Sequence, residues 1–284
     1  MALPMLTIIA IFSYGPMGGV IIAFQNYRPA LGIRESEFIG FQHFRDFFNS
    51  VFFVRTLRNT VLINFWSLVW GFPASVMFAL FLNELVSKRF KKAVQTASYM
   101  PFFISVVVVT GITRMFVSNG GIINDIRVFF GLERVIFLNY PQYWRTLFIT
   151  SGIWQNLGWS SIIYIAALSG VSTELYDAAL VDGANRFRKM WHVSIPGIMP
   201  TISIMLILNI GSMLSLGPDR ILLLYNPGIY ETADVISTFV FRRGIVENRH
   251  GFAAAVGLFN SGVNFVLLLS ADRICKMMGQ RGLF

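Results

Sequence analysis

Cysteine is nearly absent: Cys275 stands alone among 284 residues, so neither an internal disulfide nor a cysteine-based metal cluster is available to the fold. Charge is scarce too. Only 13% of residues are charged, where a soluble domain of this length carries about a quarter. That leaves too little polar material to coat a water-soluble globule. Histidine is limited to His43, His192 and His250, all outside the long apolar stretches. No His-Glu-x-x-His, Gly-x-Ser-x-Gly or Gly-x-x-x-x-Gly-Lys-Ser/Thr run occurs, which excludes zinc-protease, serine-hydrolase and P-loop chemistry by this chain. The net charge of +9 has no basic stripe with interleaved aromatics behind it, so nucleic acid is excluded as a partner.

What is present is apolar surface in long runs. Crossing the roughly 30 Å hydrocarbon core takes about 20 apolar residues in a helix. Six windows free of Asp, Glu, Lys, Arg and His meet that length: 2–24, 60–82, 93–113, 146–173, 193–216 and 251–271. One such window fits the buried helix of a soluble core; six in one chain do not. The expected fold is an all-α membrane protein of six transmembrane helices, forming a single domain over 1–284. The first window lacks the basic n-region of a signal peptide and is read as a true span, its basic cytoplasmic flank expected upstream. Pro16, Pro73, Pro101, Pro196 and Pro200 lie in or near the windows and are expected to kink them. Gly15 and Gly19 give the first window a small-xxx-small face. Residues 38–44 and 225–243 are expected to form short interfacial helices.

The loops set the orientation. One side holds 83–92, 174–192 and 272–284, with ten Lys and Arg in 42 residues; the other holds 25–59, 114–145 and 219–250, with thirteen spread over 99. Every lysine (Lys88, Lys91, Lys92, Lys189 and Lys276) is on the first side. Short, dense basic loops mark the cytoplasmic face, where anionic headgroups attract them. Both termini are therefore expected in the cytoplasm.

One cytoplasmic loop is more than a connector. Ser172 or Thr173 can cap a short helix whose first turn carries Glu174, and Ala178 and Ala179 give that helix a surface smooth enough for close approach. Asp182-Gly183 signals a turn. A second short helix with Phe187 and Trp191 then leads to Pro196, making a helix–turn–helix between spans four and five.

This loop resembles the cytoplasmic signature of permease subunits of bacterial ATP-binding-cassette importers: Glu-Ala-Ala, three residues, Gly, nine residues, Ile-x-Leu-Pro. The run here is Asp177-Ala178-Ala179, three residues, Gly183, nine residues, Val193-Ser194-Ile195-Pro196. Asp replaces Glu, Val replaces Ile and Ile replaces Leu; Asp177 is one methylene shorter, which alters the reach of any salt bridge it carries. Tyr14-Gly15-Pro16, Ile22-Ala23-Phe24-Gln25-Asn26-Tyr27 and Phe38-Ile39-Gly40-Phe41-x-x-Phe44 resemble the opening of the oligosaccharide permeases. Trp154-Gln155-Asn156-Leu157-Gly158-Trp159 and Ile221-Leu222-Leu223-Leu224-Tyr225-Asn226-Pro227 resemble the polysaccharide-fragment branch, which includes alginate-importer permeases.

The resemblance implies a membrane-spanning transport subunit of the bacterial cytoplasmic membrane, not an enzyme, working by alternating access. It implies a second, homologous permease in a heterodimer, a pair of ABC ATPase subunits that hold ATP and Mg, and an external solute-binding protein. This chain itself would bind no cofactor and no metal. Asp177, Ala178, Ala179, Asp182, Gly183, Phe187 and Pro196 become the ATPase-coupling set: Ala178 and Ala179 permit docking, Gly183 makes the turn, and Phe187 is an apolar knob. The lever would be biased by nucleotide on the partner.

Sugars are held by amides, hydroxyls and aromatic faces in mostly pre-formed cavities. The in-span candidates are Asn64, Trp154, Gln155, Asn156, Trp159, Asn209, Asn260 and Asn264, each equally able to make an interhelical hydrogen bond or simply to pack. Trp154 to Trp159 is the strongest cluster. Arg28, Arg242 and Arg243 would attract an anionic sugar or contact an acidic binding protein. The competing reading is an ion-coupled secondary transporter or channel working without an ATPase; it calls for in-span relay groups that the six windows lack.

Overall fold

The structure is a computed structural model and describes residues 2–279 and 282–283. It is helical throughout, with no strand among the described residues. Besides single turns at Gly32–Glu35 and Tyr230–Ala233, the helices in chain order are α1 (Ala2–Ile9), α2 (Gln42–Phe48), α3 (Phe53–Asn83), α4 (Lys88–Tyr99), α5 (Val106–Val117), α6 (Ile122–Phe129), α7 (Pro141–Ser169), α8 (Thr173–Val181), α9 (Arg186–Lys189), α10 (Ile195–Gly211), α11 (Pro218–Leu224), α12 (Ile236–Phe241) and α13 (His250–Met277). A π turn, Ala10–Tyr14, and a 3₁₀ stretch, Gly15–Phe24, continue α1.

Five helical stretches among the described residues are long and apolar enough to cross a membrane: Pro4–Phe24, Phe53–Asn83, Val106–Phe129, Arg186–Gly211 and His250–Met277. Four of them largely cover expected windows, while Val106–Phe129 shares only residues 106–113 with the window 93–113. The remaining window, 146–173, lies on α7, which at 29 residues is amply long but carries Thr150, Ser151, Gln155, Asn156, Ser160 and Ser161 along its middle. The window 93–113 is not one helix. Pro101 cannot donate a backbone hydrogen bond, α4 ends at Tyr99, a 3₁₀ turn follows, and Ser105 starts α5 by accepting from the Val108 N–H. Pro73 and Pro200, by contrast, sit inside continuous helices. Of the two expected interfacial pieces, 38–44 is helical only from Gln42, where α2 begins, and 225–243 holds α12 and single turns between residues 227 and 233.

The chain divides into two compact units. The first comprises residues 1–60, 214–218 and 234–265. Its core is aromatic: Phe47 from α2, Phe239 from α12 and Phe252 from α13 pack with Ile236 and Val256. The ring centroids of Phe239 and Phe252 are 5.8 Å apart in an edge-on arrangement, a favourable quadrupole geometry. Beside it Asp234 is fully buried. Arg242 donates to both its carboxylate oxygens at 2.8 Å, Arg55 to one at 3.0 Å, and Thr238 to the other at 2.8 Å. Asn59 donates to the Asp234 carbonyl, and the Ile236 N–H to Thr60 Oγ1. The start of α3 is thereby fastened to the 234–242 segment.

The second unit comprises residues 61–213, 219–233 and 266–284. Val76, Ala79 and Leu80 of α3 pack against Tyr164 and Leu168 of α7 and Ile198 of α10. A second cluster joins Ile207 of α10 to Ala271 and Cys275 of α13. α4 approaches α7 at Gly158, where a Cβ would overlap the Ser98 carbonyl and the Tyr99 ring. Trp144, fully buried, donates its indole N–H to the Leu224 carbonyl at 3.1 Å.

Two substitutions probe these units. Gly158→Ala is expected to destabilise by about 1–3 kcal/mol, the usual cost of overpacking, while Gly257→Ala, whose Cβ would meet open space inside a helix, is expected to leave stability unchanged or slightly raised. Asp234→Ala would abandon two guanidinium groups beside an empty buried site and is expected to cost about 3 kcal/mol. Thermal unfolding of the detergent-solubilised protein, read by tryptophan fluorescence, checks both.

Candidate functional site

The loop between α7 and α10 folds as two capped helices. Ser172 Oγ accepts from the Glu174 N–H at 3.2 Å, starting α8 with an acid where the helix dipole favours one. The helix stops at Gly183, whose φ of +74° is a left-handed conformation. The Ala184 N–H reaches the Ala179 carbonyl at 2.9 Å and the Gly183 N–H the Leu180 carbonyl at 3.0 Å. These are the two bonds of a Schellman C-cap. A Cβ on Gly183 would meet open space, so the demand for glycine here is conformational. Asn185 Oδ1 then accepts from the Arg188 N–H at 2.9 Å, starting α9. A π turn, Met190–Ser194, leads into α10, with Pro196 in its first turn. Tyr176 and the buried Ser194 share a hydroxyl hydrogen bond of 2.9 Å, tying α8 to the foot of α10.

The apolar side chains of this element face outward. Leu175, Leu180, Val181, Phe187 and Trp191 are all exposed, Phe187 at 72%. Phe187 and Trp191 border a groove with a volume of about 400 Å³, together with Met77, Leu80, Met190 and Ile195. Asp177, Ala178 and Asp182 are exposed, Ala179 is half-buried, and the bonds around Gly183 hold these residues and Phe187 within one short element. Pro196 lies apart from them, exposed on α10.

The polar residues of the apolar windows divide by what their amides do. In the first unit, Asn260 donates to the Leu214 carbonyl at 3.1 Å, and Asn264 accepts from the Leu214 N–H at 2.9 Å while donating to Ser215 Oγ at 2.8 Å. Residues one helical turn apart on α13 thus satisfy the backbone just beyond α10. In the second unit, Asn156 and Asn209 donate back to carbonyls of their own helices, Gly152 and Met205. Asn64 is half-buried on α3 and Trp154 is exposed on α7. Gln155 is buried and donates to the Ile104 carbonyl at 3.2 Å, at the break between α4 and α5. Trp159 stacks on Phe102 with centroids 4.3 Å apart and planes 3° off parallel, and meets Phe103 edge-on. At 100° per residue, Gln155 and Trp159 share a face of α7 that Trp154 and Asn156 do not.

The outer-segment arginines are mostly engaged. Arg242 is committed to Asp234, and Arg243 pairs with Glu247 at 2.6 Å. The cation that composition did not single out is Arg220 on α11. It donates to the Phe148 carbonyl at 3.0 Å and to Ser151 Oγ at 2.5 Å, with its guanidinium carbon 4.7 Å from the Phe148 ring centre. No carboxylate lies within ion-pair distance of it among the described residues. Burial lowers its pKa to about 10, which leaves it charged at neutral pH. Its placement depends on a contact 72 residues away in sequence, which no local pattern reveals. No group of three His, Cys, Asp or Glu side chains able to hold a metal ion occurs among the described residues.

Residues 71–274 match the family described as binding-protein-dependent transport system inner membrane component. Protein LplB of Bacillus subtilis is 41% identical over 99% of this chain and 89% of its own length. The polygalacturonan/rhamnogalacturonan transport system permease protein YteP of the same organism is 40% identical over 100% of this chain and 89% of its own. Among solved structures, a chain of a bacterial alginate ABC transporter, in complex with a periplasmic protein carrying alginate pentasaccharide, superposes with a TM-score of 0.90 at 39% identity. That match covers 100% of this chain and 95% of the other. A second structure, of a bacterial ABC transporter involved in importing the acidic polysaccharide alginate, gives 0.89 at 40% identity over 98% of this chain and 94% of its own. A helical chain with long apolar stretches, a capped helix–turn–helix at the signature position and these relatives across its whole length belongs to the inner-membrane components of binding-protein-dependent transport systems, the permease subunits of ABC importers.

Proposed function

We propose that this chain is one of two membrane-spanning subunits of an ATP-driven importer that carries acidic oligosaccharides, fragments of polysaccharides such as alginate or polygalacturonan, across the bacterial cytoplasmic membrane by alternating access. The observation that carries the reading is the 173–189 helix–turn–helix. Its caps are internally satisfied while its apolar side chains, Leu180, Val181 and Phe187 among them, stay exposed. A surface of this kind fits a groove on another protein. Asp177, Ala178, Ala179, Asp182, Gly183, Phe187 and, at the foot of α10, Pro196 are its coupling residues.

The substrate class is supported by relatives of about 40% identity over essentially the whole chain whose names refer to polygalacturonan, rhamnogalacturonan and alginate. In this reading the chain is a single permease domain with six spans: the five apolar helical stretches and α7. Both termini lie in the cytoplasm, beside the lysine-bearing loops. The partners are a pair of ABC ATPase subunits, a second homologous permease and an external solute-binding protein that delivers the sugar. ATP and Mg belong to the ATPase. Closure of the ATPase pair on ATP would move α8 and α9 together, and the hydroxyl pair of Tyr176 and Ser194 would pass that motion to α10.

Co-purification tests the reading. The chain is expressed with its genomic neighbours, solubilised in mild detergent and captured by a tag. The ATPase is expected to accompany the wild type and to be lost from Gly183→Pro, because proline is locked near φ of about −65° and cannot take the +74° of Gly183. ATPase retained at the wild-type level by the variant would contradict the docking role. Ion-coupled sugar uptake by the reconstituted chain alone would contradict the importer itself.

A further inference from the structure

Arg220 stands out as a charged group without a charged partner. A guanidinium has five N–H donors and forms its strongest bonds with carboxylates. Here only Nη2 is used, on the neutral Phe148 carbonyl and Ser151 Oγ. Nε is buried without a hydrogen-bond partner. Nη1 lies over Gly152, where the Cβ of any other residue would come within 2.6 Å of it. The side chain is therefore seated against α7 by a glycine gap, an aromatic ring and two neutral acceptors, none of which carries an opposite charge.

The face of α7 that receives Arg220 also carries two of the candidate sugar-binding side chains, Gln155 and Trp159. Phe148, Ser151, Gly152, Gln155 and Trp159 follow the i, i+3, i+4, i+7, i+11 spacing and fall on one stripe. Gln155 sits one turn beyond the guanidinium contact, and Trp159 one turn further. The distance from Gly152 to Trp159 along the axis is roughly 10 Å, at about 1.5 Å per residue, the scale of a short oligosaccharide. Trp159 has one face against Phe102 yet remains 44% exposed. The stripe thus carries, in order, a cation, an amide and an aromatic platform. An acidic sugar offers the complements: a carboxylate, hydroxyls and the apolar face of a pyranose ring.

We propose that Arg220 is the specificity-determining residue of this permease, taking the carboxylate of a uronate unit on Nη1 while Gln155 and Trp159 hold the neighbouring sugar. The assignment rests on the importer reading and deepens it. In that topology α11 follows the fifth span on the outer side, so the guanidinium is the first element of the stripe that an arriving sugar meets. Arg242 and Arg243, already bound to Asp234 and Glu247, take no part.

The test uses the whole importer (both permeases, the ATPase and the binding protein) in proteoliposomes. Two radiolabelled substrates are compared: trigalacturonate and its carboxyl-reduced neutral counterpart. Arg220→Gln is expected to lower the acidic-to-neutral uptake ratio roughly tenfold, as loss of one charge-assisted hydrogen-bonding partner implies, and to do so through a raised KM for the acidic sugar. Arg220→Lys keeps the charge and is expected to restore most of the ratio. An unchanged ratio in Arg220→Gln, or an equal fall for both sugars in both variants, would overturn the assignment and leave Arg220 as a brace between α11 and α7. ATP-dependent uptake of neither sugar by the wild type would instead overturn the importer reading, and this assignment with it.

Discussion

Backbone polar groups freed by a helix break need partners, and neither hydrocarbon nor a packed protein interior offers water to supply them. Much of this structure follows from that constraint. Where the chain breaks between α4 and α5, the Ile104 carbonyl takes the Gln155 amide from α7. Beyond the end of α10, Asn260 and Asn264 satisfy both the carbonyl and the N–H of Leu214. Ahead of α12, Asn59 holds the Asp234 carbonyl and Thr60 the Ile236 N–H. At the end of α11 the Leu224 carbonyl receives the Trp144 indole. Each break is closed by a side chain from a distant helix, so the irregular segments position the regular ones as well as interrupting them.

The same constraint explains why the helical architecture was legible in the sequence and the roles of its polar residues were not. Charge-free runs of about 20 residues announce helices, and four of the six windows coincide with long apolar helical stretches. The break near Pro101 was not legible, because Pro73 and Pro200 occupy similar apolar surroundings and leave their helices intact. What separates them is tertiary: the Gln155 amide is present to receive the carbonyl that the break frees. Asn260 and Asn264 looked equally suited to sugar and to backbone, and only the position of Leu214 reveals their bonding. Arg220 carried no local signal, because its neighbours on α7 lie some seventy positions earlier in the chain.

The helix–turn–helix was legible in detail, and for a physical reason. Its form rests on local rules: Ser172 and Asn185 as N-caps, a left-handed glycine between them, small residues before it. Such elements are specified within a few residues and need no tertiary knowledge. A capped, self-satisfied pair of short helices is also suited to a moving part, since it can shift without exposing unpaired backbone. The Tyr176–Ser194 hydroxyl pair and the apolar residues around Met190 and Ile195 tie it to the long helices. In the proposed importer the work of transport enters through this surface, from a partner that binds ATP.

The most direct test of that claim is maleimide labelling of Phe187→Cys. The one native cysteine, Cys275, is buried, so the introduced thiol reports alone. With the isolated chain in detergent, labelling at this 72%-exposed position should be fast. In the importer assembled with its ATPase, the account expects strong protection, with a rate that changes when ATP is bound. Equal labelling of the isolated and assembled forms would contradict it, because the element would then be facing water rather than transmitting work.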